Sequence, residues 1–370
     1  MKNDVERFVE RLKNFIHQSE HGRITFEQYM SACLYDPEFG YYNRSYPKVG
    51  KDGDFYTSAS IGSVMGEMIA AYILEQAALP LNKPFVFIEW GPGTGKLACD
   101  LLTCIAKRAP DTYEQLEYWA LETSRYHQRV LETNLKDHRD KLKIVLPHDK
   151  PEDDKNVVII ANEFLDALPV RRLTKKNQIL YEHWVEWNAD KQWFQPRLVE
   201  ANDAHLLHYI QRHGIHVHEG QTVEVNLQAA DWIRRSVQTF EEALWILIDY
   251  GDETDEIYGE HRMEGTLMSY YRHAAFSDPY LMPGQQDLTA HVDFAACARE
   301  AAWAAADLQI EYMTQKEFLI KAGIFTLLES HDERDPFHPA ARRNRAVRQL
   351  LISDQMSELF KVLVLKKEKK

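Results

Sequence analysis

The chain has 370 residues, 45% of them hydrophobic, which supports a substantial core and excludes a disordered polymer. Its net charge of −13 excludes a general electrostatic pull towards nucleic acid or an anionic membrane. No apolar run is long enough to span a bilayer, and Cys33, Cys99, Cys104 and Cys297 form no CxxC pair and no zinc-ligand spacing. These features predict a reduced, cytoplasmic protein without a metal site. The segment Met1-Lys2-Asn3-Asp4-Val5-Glu6 lacks an apolar signal core, and its early acids disfavour a mitochondrial transit peptide.

Residues 4–19 carry Val5, Phe8, Val9, Leu12 and Phe15 at helical spacing. Thr25 is placed to cap a helix bearing Phe26, Tyr29, Met30 and Cys33. The aromatic, turn-rich stretch 34–42 completes an N-terminal helical cap. A polar loop over 43–56 runs into Thr57 and Ser58, and a helix is expected from about 61 to 76. Residues 1–80 are thus expected as an N-terminal helical cap.

Phe85 to Ile88 is apolar on both faces and predicts a buried strand. It breaks at Gly91, Gly93 and Gly95 and resumes as a helix that buries Leu97, Leu101 and Leu102. Strand, glycine turn and helix form the first unit of a nucleotide-binding sheet. Tyr118 to Glu122 is a second strand ending in an acid, followed by a helix over 125–135. Strands are expected at 143–146 and 157–161, the latter ending at Asn162-Glu163-Phe164-Leu165-Asp166. From 169 to 195 the pattern partly alternates, which predicts antiparallel hairpins. Helices follow at 203–213 and 227–243. Leu244 to Gly251 is another buried strand, with Asp249 at its end. A strand at 265–270, a helix at 292–305 and a strand at 308–312 come next. Helices at about 315–329 and 339–359 precede a strand at 360–365 that closes the sheet. The fold expected is α/β: a Rossmann-like sheet over 81–370, with an inserted β/helical subdomain at about 170–243.

The spacing of the glycines narrows the ligand. A P-loop needs glycine five residues before the Gly-Lys pair and Ser or Thr after it. Trp90 and Leu97 occupy those places, so Lys96 is not a phosphate-binding lysine. A dinucleotide fingerprint needs its third glycine at 96, where lysine stands. The motif is Glu89-x-Gly91-x-Gly93-x-Gly95. Glu89 repels a pyrophosphate there but attracts a cation, such as the amino group of a sulfonium-linked amino acid. Glu122 can accept from two ribose hydroxyls. With Asn162 and Glu163 at a third strand end, the combination reads as S-adenosylmethionine. A nicotinamide or flavin oxidoreductase is the disfavoured alternative. A third alternative keeps the fold as an assembly factor or scaffold with little turnover.

The chain resembles the MidA-like family of class I S-adenosylmethionine-dependent methyltransferases. That family includes the mitochondrial protein-arginine methyltransferase that assists respiratory complex I assembly. The matching stretches are Ile24-Thr25-Phe26, residues 35–42, residues 53–58, Gly91 to Gly95, Asn162 to Val170, Ile248 to Gly251, and Pro283 to Phe294. The resemblance implies a class I methyltransferase sheet, with Gly91, Gly93 and Gly95 lining the cofactor and Glu122 on its ribose. It also implies that Thr57 and Ser58 close over the site, which makes the 1–80 segment a cofactor lid as well as a cap. The family often has Arg where Thr94 stands, and Ile-Ser-Pro where Thr123-Ser124 follows Glu122.

The reaction class expected is methylation of a protein, with arginine implied by resemblance. An arginine acceptor needs carboxylates to hold its planar guanidinium in a fork. Glu163, Asp166 and Asp249 are the candidates. Thr123 and Asn162 join Glu89 and Glu122 as expected cofactor contacts. Tyr56, His291 and Asp293 are weaker candidates on the substrate side. The partners expected are a protein substrate, with neither nucleic acid nor membrane. A homodimer stays open.

Overall fold

The structure, a computed structural model, describes residues 2–46, 48, 63–76, 79, 83–152, 154–330, 335, 338–352 and 358–369. The chain divides into two compact units. One comprises residues 1–55, 165–236 and 251–300; the other comprises 56–164, 237–250 and 301–370.

The second unit is built on a sheet. Its strands run in the order Leu308–Thr314, Phe360–Lys367, Ala243–Asp252, Asn156–Asn162, Phe85–Trp90, Glu117–Leu121 and Leu142–Ile144. From Ala243–Asp252 to Leu142–Ile144 every pairing is parallel. Phe360–Lys367 is antiparallel to both of its neighbours. The central strands are buried along nearly their whole length, which is why they read as unbroken apolar runs. The strand next in sequence to Phe85–Trp90 lies on one side of it, and Asn156–Asn162 lies on the other. That reversal of order opens a crevice at the carboxyl ends, where such sheets bind ligands. The helix Lys96–Arg108 packs beneath, burying Leu97, Leu101, Leu102 and Ile105. The helix expected over 315–329 is divided by Gly323, whose φ of +87° ends Gln315–Lys321 before a short 3-10 turn at Ile324–Leu327.

The first unit has its own sheet. Arg23–Thr25 pairs antiparallel with Ile179–Asn188, which also pairs with Arg171–Lys176 and Trp193–Glu200; Thr222–Val225 completes the order beside Arg171–Lys176. The expected hairpins are present. Asn177 and Gln178 make the turn between two of them at φ +52° and +64°, and Glu219 accepts both of their N–H groups at 2.6 and 3.0 Å. Thr25 caps Phe26–Tyr35 in a reciprocal pair with Gln28. In the first helix, Lys2–Gln18, the periodic reading places Phe15 on the apolar face. The structure instead leaves Phe15 43% exposed and seats Ile16 with Phe8 and Leu12, four residues apart.

The division expected at residue 80 differs from this arrangement. Residues 1–55 join the 165–236 insertion because Ile24 pairs opposite Val185 and their side chains share one core. The helix Val64–Ala71 belongs to the sheet unit, buried with Leu97 and Leu101.

Candidate functional site

The sheet unit brings together Glu89, Gly91, Gly93, Gly95, Glu122, Asn162, Glu163 and Asp249, at the carboxyl ends of four adjacent strands. The three glycines have φ of +66°, +54° and +73°, in the left-handed region that a Cβ disfavours. Their surroundings differ. A Cβ on Gly95 would lie 2.3 Å from Leu131 Cδ1, and one on Gly91 would lie 3.2 Å from Phe164 Cδ2. A Cβ on Gly93 would meet nothing within 4 Å among the described residues, so those residues leave open space beside it. Gly95 is the N-cap of Lys96–Arg108, and Lys96 is paired with Asp100. The lysine is thereby accounted for without a phosphate.

Glu122 follows the strand Glu117–Leu121. Its Oε2 accepts from Gly93 N–H at 3.1 Å, its Oε1 accepts from Ser124 N–H at 2.7 Å, and His127 Nδ1 lies 3.8 Å away. Burial pushes its carboxyl up to about 7, against the lowering effect of those backbone bonds. Thr123 is exposed beside it. Ser124 caps the next helix through His127 N–H.

Glu89 is expected to attract a cationic group. Its side chain instead turns inward: it is 3% exposed and accepts from the Tyr118 hydroxyl at 2.6 Å. Desolvation, opposed by that bond and reinforced by Glu122, raises its carboxyl to about 7. A carboxyl raised on folding holds its proton more tightly in the native state. Folding stability therefore falls as pH rises from about 4.5 through 7. Glu89→Gln keeps an acceptor for Tyr118 and abolishes this part of the pH dependence. Urea unfolding at pH 5 and pH 8 should show the variant gaining about 3 kcal/mol on the natural protein between the two.

The strand Asn156–Asn162 ends in a tightly held turn. Glu163 adopts φ +52°, a conformation costing about 1 kcal/mol for a residue with a side chain. Its N–H donates to Ile248 O at 2.8 Å, and Phe164 N–H donates to Asp249 Oδ2 at 3.1 Å. Asn162 Nδ2 donates to Glu163 Oε1 at 3.3 Å. Asn162 Oδ1 is buried and has no hydrogen-bond partner among the described residues. An open glycine at position 93 and an orphaned acceptor one strand away fit a ligand carrying N–H or O–H groups.

Asp249 is expected to reach a substrate. It is 1% exposed, and its two oxygens take the backbone N–H groups of Phe164 and Tyr250, so it positions the turn. Asp166 lies in the other unit, where it is buried and its carbonyl accepts from Ala290 N–H at 3.0 Å. Asp293 is in that unit too, accepting from Thr254 Oγ1 and Ala296 N–H, and His291 N–H donates to Thr266 Oγ1. Tyr56, Thr57 and Ser58 lie outside the described residues. Sequence reasoning missed Phe164, whose ring packs 5.7 Å from Trp90 and against Gly91. It also missed the cap at Ser124, although a serine directly before a helix is a readable signal.

Residues 68–313 match the family Methyltransf_28, described as S-adenosyl-L-methionine-dependent methyltransferase. A protein arginine methyltransferase NDUFAF7, mitochondrial, from mouse is 28% identical over 82% of this chain and 71% of its own length. The homologous fly protein is also 28% identical, over 74% of this chain, which spans 65% of that relative's length. A crystal structure from Burkholderia thailandensis, bound to S-adenosyl-homocysteine, superposes with a TM-score of 0.86 at 30% identity. It covers 98% of this chain and 92% of its own. These findings agree with the resemblance, the α/β methyltransferase fold and the cofactor read from the sequence. They overturn the cytoplasmic placement, because the curated relatives are named as mitochondrial proteins. Free thiols assign no compartment, nor does the absence, among the described residues, of a helix long and apolar enough to cross a membrane.

Proposed function

Because this chain belongs to the S-adenosyl-L-methionine-dependent methyltransferase family Methyltransf_28, we propose that it methylates a protein at the guanidinium of an arginine side chain. The acceptor rests on one observation, the name protein arginine methyltransferase carried by relatives that match most of the chain. The chemistry of the 162–164 turn supports it.

When bound, S-adenosylmethionine supplies a methyl group on a positively charged sulfur. In this reading the backbone of Gly91, Gly93 and Gly95 lines the cofactor, and Gly93 gives it room. Glu122 takes the ribose hydroxyls. Asn162 offers Oδ1 to an amino group at the crevice. Glu163 accepts N–H groups of the guanidinium and aligns one nitrogen with the methyl carbon, while Asp249 fixes the turn that aims it. Methyl transfer is an in-line displacement, so alignment and exclusion of water account for most of the rate. A guanidinium presents a planar fork of donors that a carboxylate and an amide oxygen can match.

Titration calorimetry with S-adenosylhomocysteine and with NAD tests the cofactor reading. Binding of the first and not of the second is expected, and the reverse would sink it. Incubation of a cell lysate with methyl-labelled cofactor, followed by mass spectrometry, tests the acceptor. Label on arginine is expected; label confined to another residue type removes the arginine assignment, and no transfer at all favours the scaffold alternative.

A further inference from the structure

We propose that Glu122 braces the glycine turn before any cofactor arrives, a task separate from the ribose contact assigned to it above. The strands Phe85–Trp90 and Glu117–Leu121 pair in parallel up to Trp90 opposite Leu121. Gly91 N–H extends the ladder by one bond, to Leu121 O at 3.1 Å. Beyond it the backbones part, and Gly93 N–H donates to Glu122 Oε2 instead. The other oxygen takes Ser124 N–H, so one carboxylate ties together the starts of two helices, Lys96–Arg108 and Arg125–Asn134. A turn with glycines at 91, 93 and 95 has much backbone freedom to lose, and a charge-assisted bond at its centre removes part of that freedom in advance.

A residue that only held the ribose would have no effect on a ligand without hydroxyls. A brace affects every ligand, because without it the turn must be ordered on binding. The ligand arm of the test rests on the cofactor reading above; the exchange arm does not. Hydrogen exchange at Gly93 N–H is followed by NMR in the ligand-free protein. Calorimetry then uses S-adenosylhomocysteine and its 2′,3′-dideoxy counterpart. Glu122→Ala should accelerate Gly93 exchange by about tenfold or more while the amides of Ile88 and Val158 stay as slow as before. It should weaken S-adenosylhomocysteine on the order of a hundredfold and the dideoxy ligand about tenfold. Glu122→Gln, which keeps one acceptor oxygen, should fall between, and it serves for both comparisons if the alanine variant does not fold. Unchanged Gly93 exchange, or equal affinity of natural and variant protein for the dideoxy ligand, overturns the brace. Failure of the natural protein to bind S-adenosylhomocysteine would instead strike the cofactor reading and leave the exchange result standing.

Discussion

Gly93→Asp should lower the affinity for S-adenosylhomocysteine by on the order of a hundredfold or more, while the protein stays folded. A Cβ at this position meets no atom within 4 Å among the described residues, so its attachment forces no clash with them. The side chain enters the space the cofactor needs and sets a new charge close to Glu122, whose carboxylate already accepts from the same backbone N–H. The backbone at φ +54° adds about 1–2 kcal/mol of strain for a residue with a Cβ, and aspartate tolerates that region better than most. Gly95→Val should fail in the opposite way. Its Cβ would stand 2.3 Å from Leu131 Cδ1 in a fully packed core, at φ +73°. Overpacking and left-handed strain together should cost on the order of 4 kcal/mol in urea unfolding. Calorimetry and unfolding on the same two proteins separate the roles of glycines only two residues apart. A Gly93→Asp protein that binds as tightly as the natural one would place the cofactor elsewhere.

Glu163→Gln should reduce kcat by on the order of a thousandfold with affinity for S-adenosylhomocysteine changed by no more than about twofold. The substitution keeps the size and most of the hydrogen bonding of the side chain. It removes only the charge that holds a guanidinium through paired, charge-assisted bonds. The turn itself should persist, because backbone bonds to Ile248 O and to Asp249 hold it and a glutamine oxygen can still accept from Asn162 Nδ2. Single-turnover rates with a methylated-arginine readout check the first part and calorimetry the second. Full activity in the variant would remove Glu163 from the acceptor site.

The parallel strands and the glycine turn were legible because each is a local pattern: an apolar run of strand length, then residues whose only common property is a missing Cβ. The acids at the strand ends were legible as residues but not as roles. Glu122 directly follows one strand and Asp249 lies near the end of another; each accepts two backbone N–H groups, but Glu122 is only partly buried whereas Asp249 is 1% exposed. Nothing in its neighbours along the chain distinguishes it from Glu122, because the backbone it binds arrives from 85 residues away in one case and from the adjacent residue in the other. Hairpins without glycine hid equally well. Arg272 and His273 turn Met268–Tyr271 onto Ala274–Phe276 at φ +50° and +63°, a geometry that Asn-Gly or Gly-Gly would have announced. The three-residue strand Arg23–Thr25 was invisible for another reason: it exists only through its partner near residue 185, and no periodicity can be read from so few residues.

The position of Phe360–Lys367 has a consequence for biosynthesis. A chain emerging from the ribosome presents Ala243–Asp252 and Leu308–Thr314 long before the strand that must lie between them. Each has one flank without its partner until residues 360–367 are made, and the pairing that joins them spans more than a hundred residues on one side. The strands that carry the cofactor residues, from Leu142–Ile144 to Ala243–Asp252, can assemble earlier and in order. Translation should therefore complete these five strands of the seven first, with insertion of the late strand as the slow, non-local step.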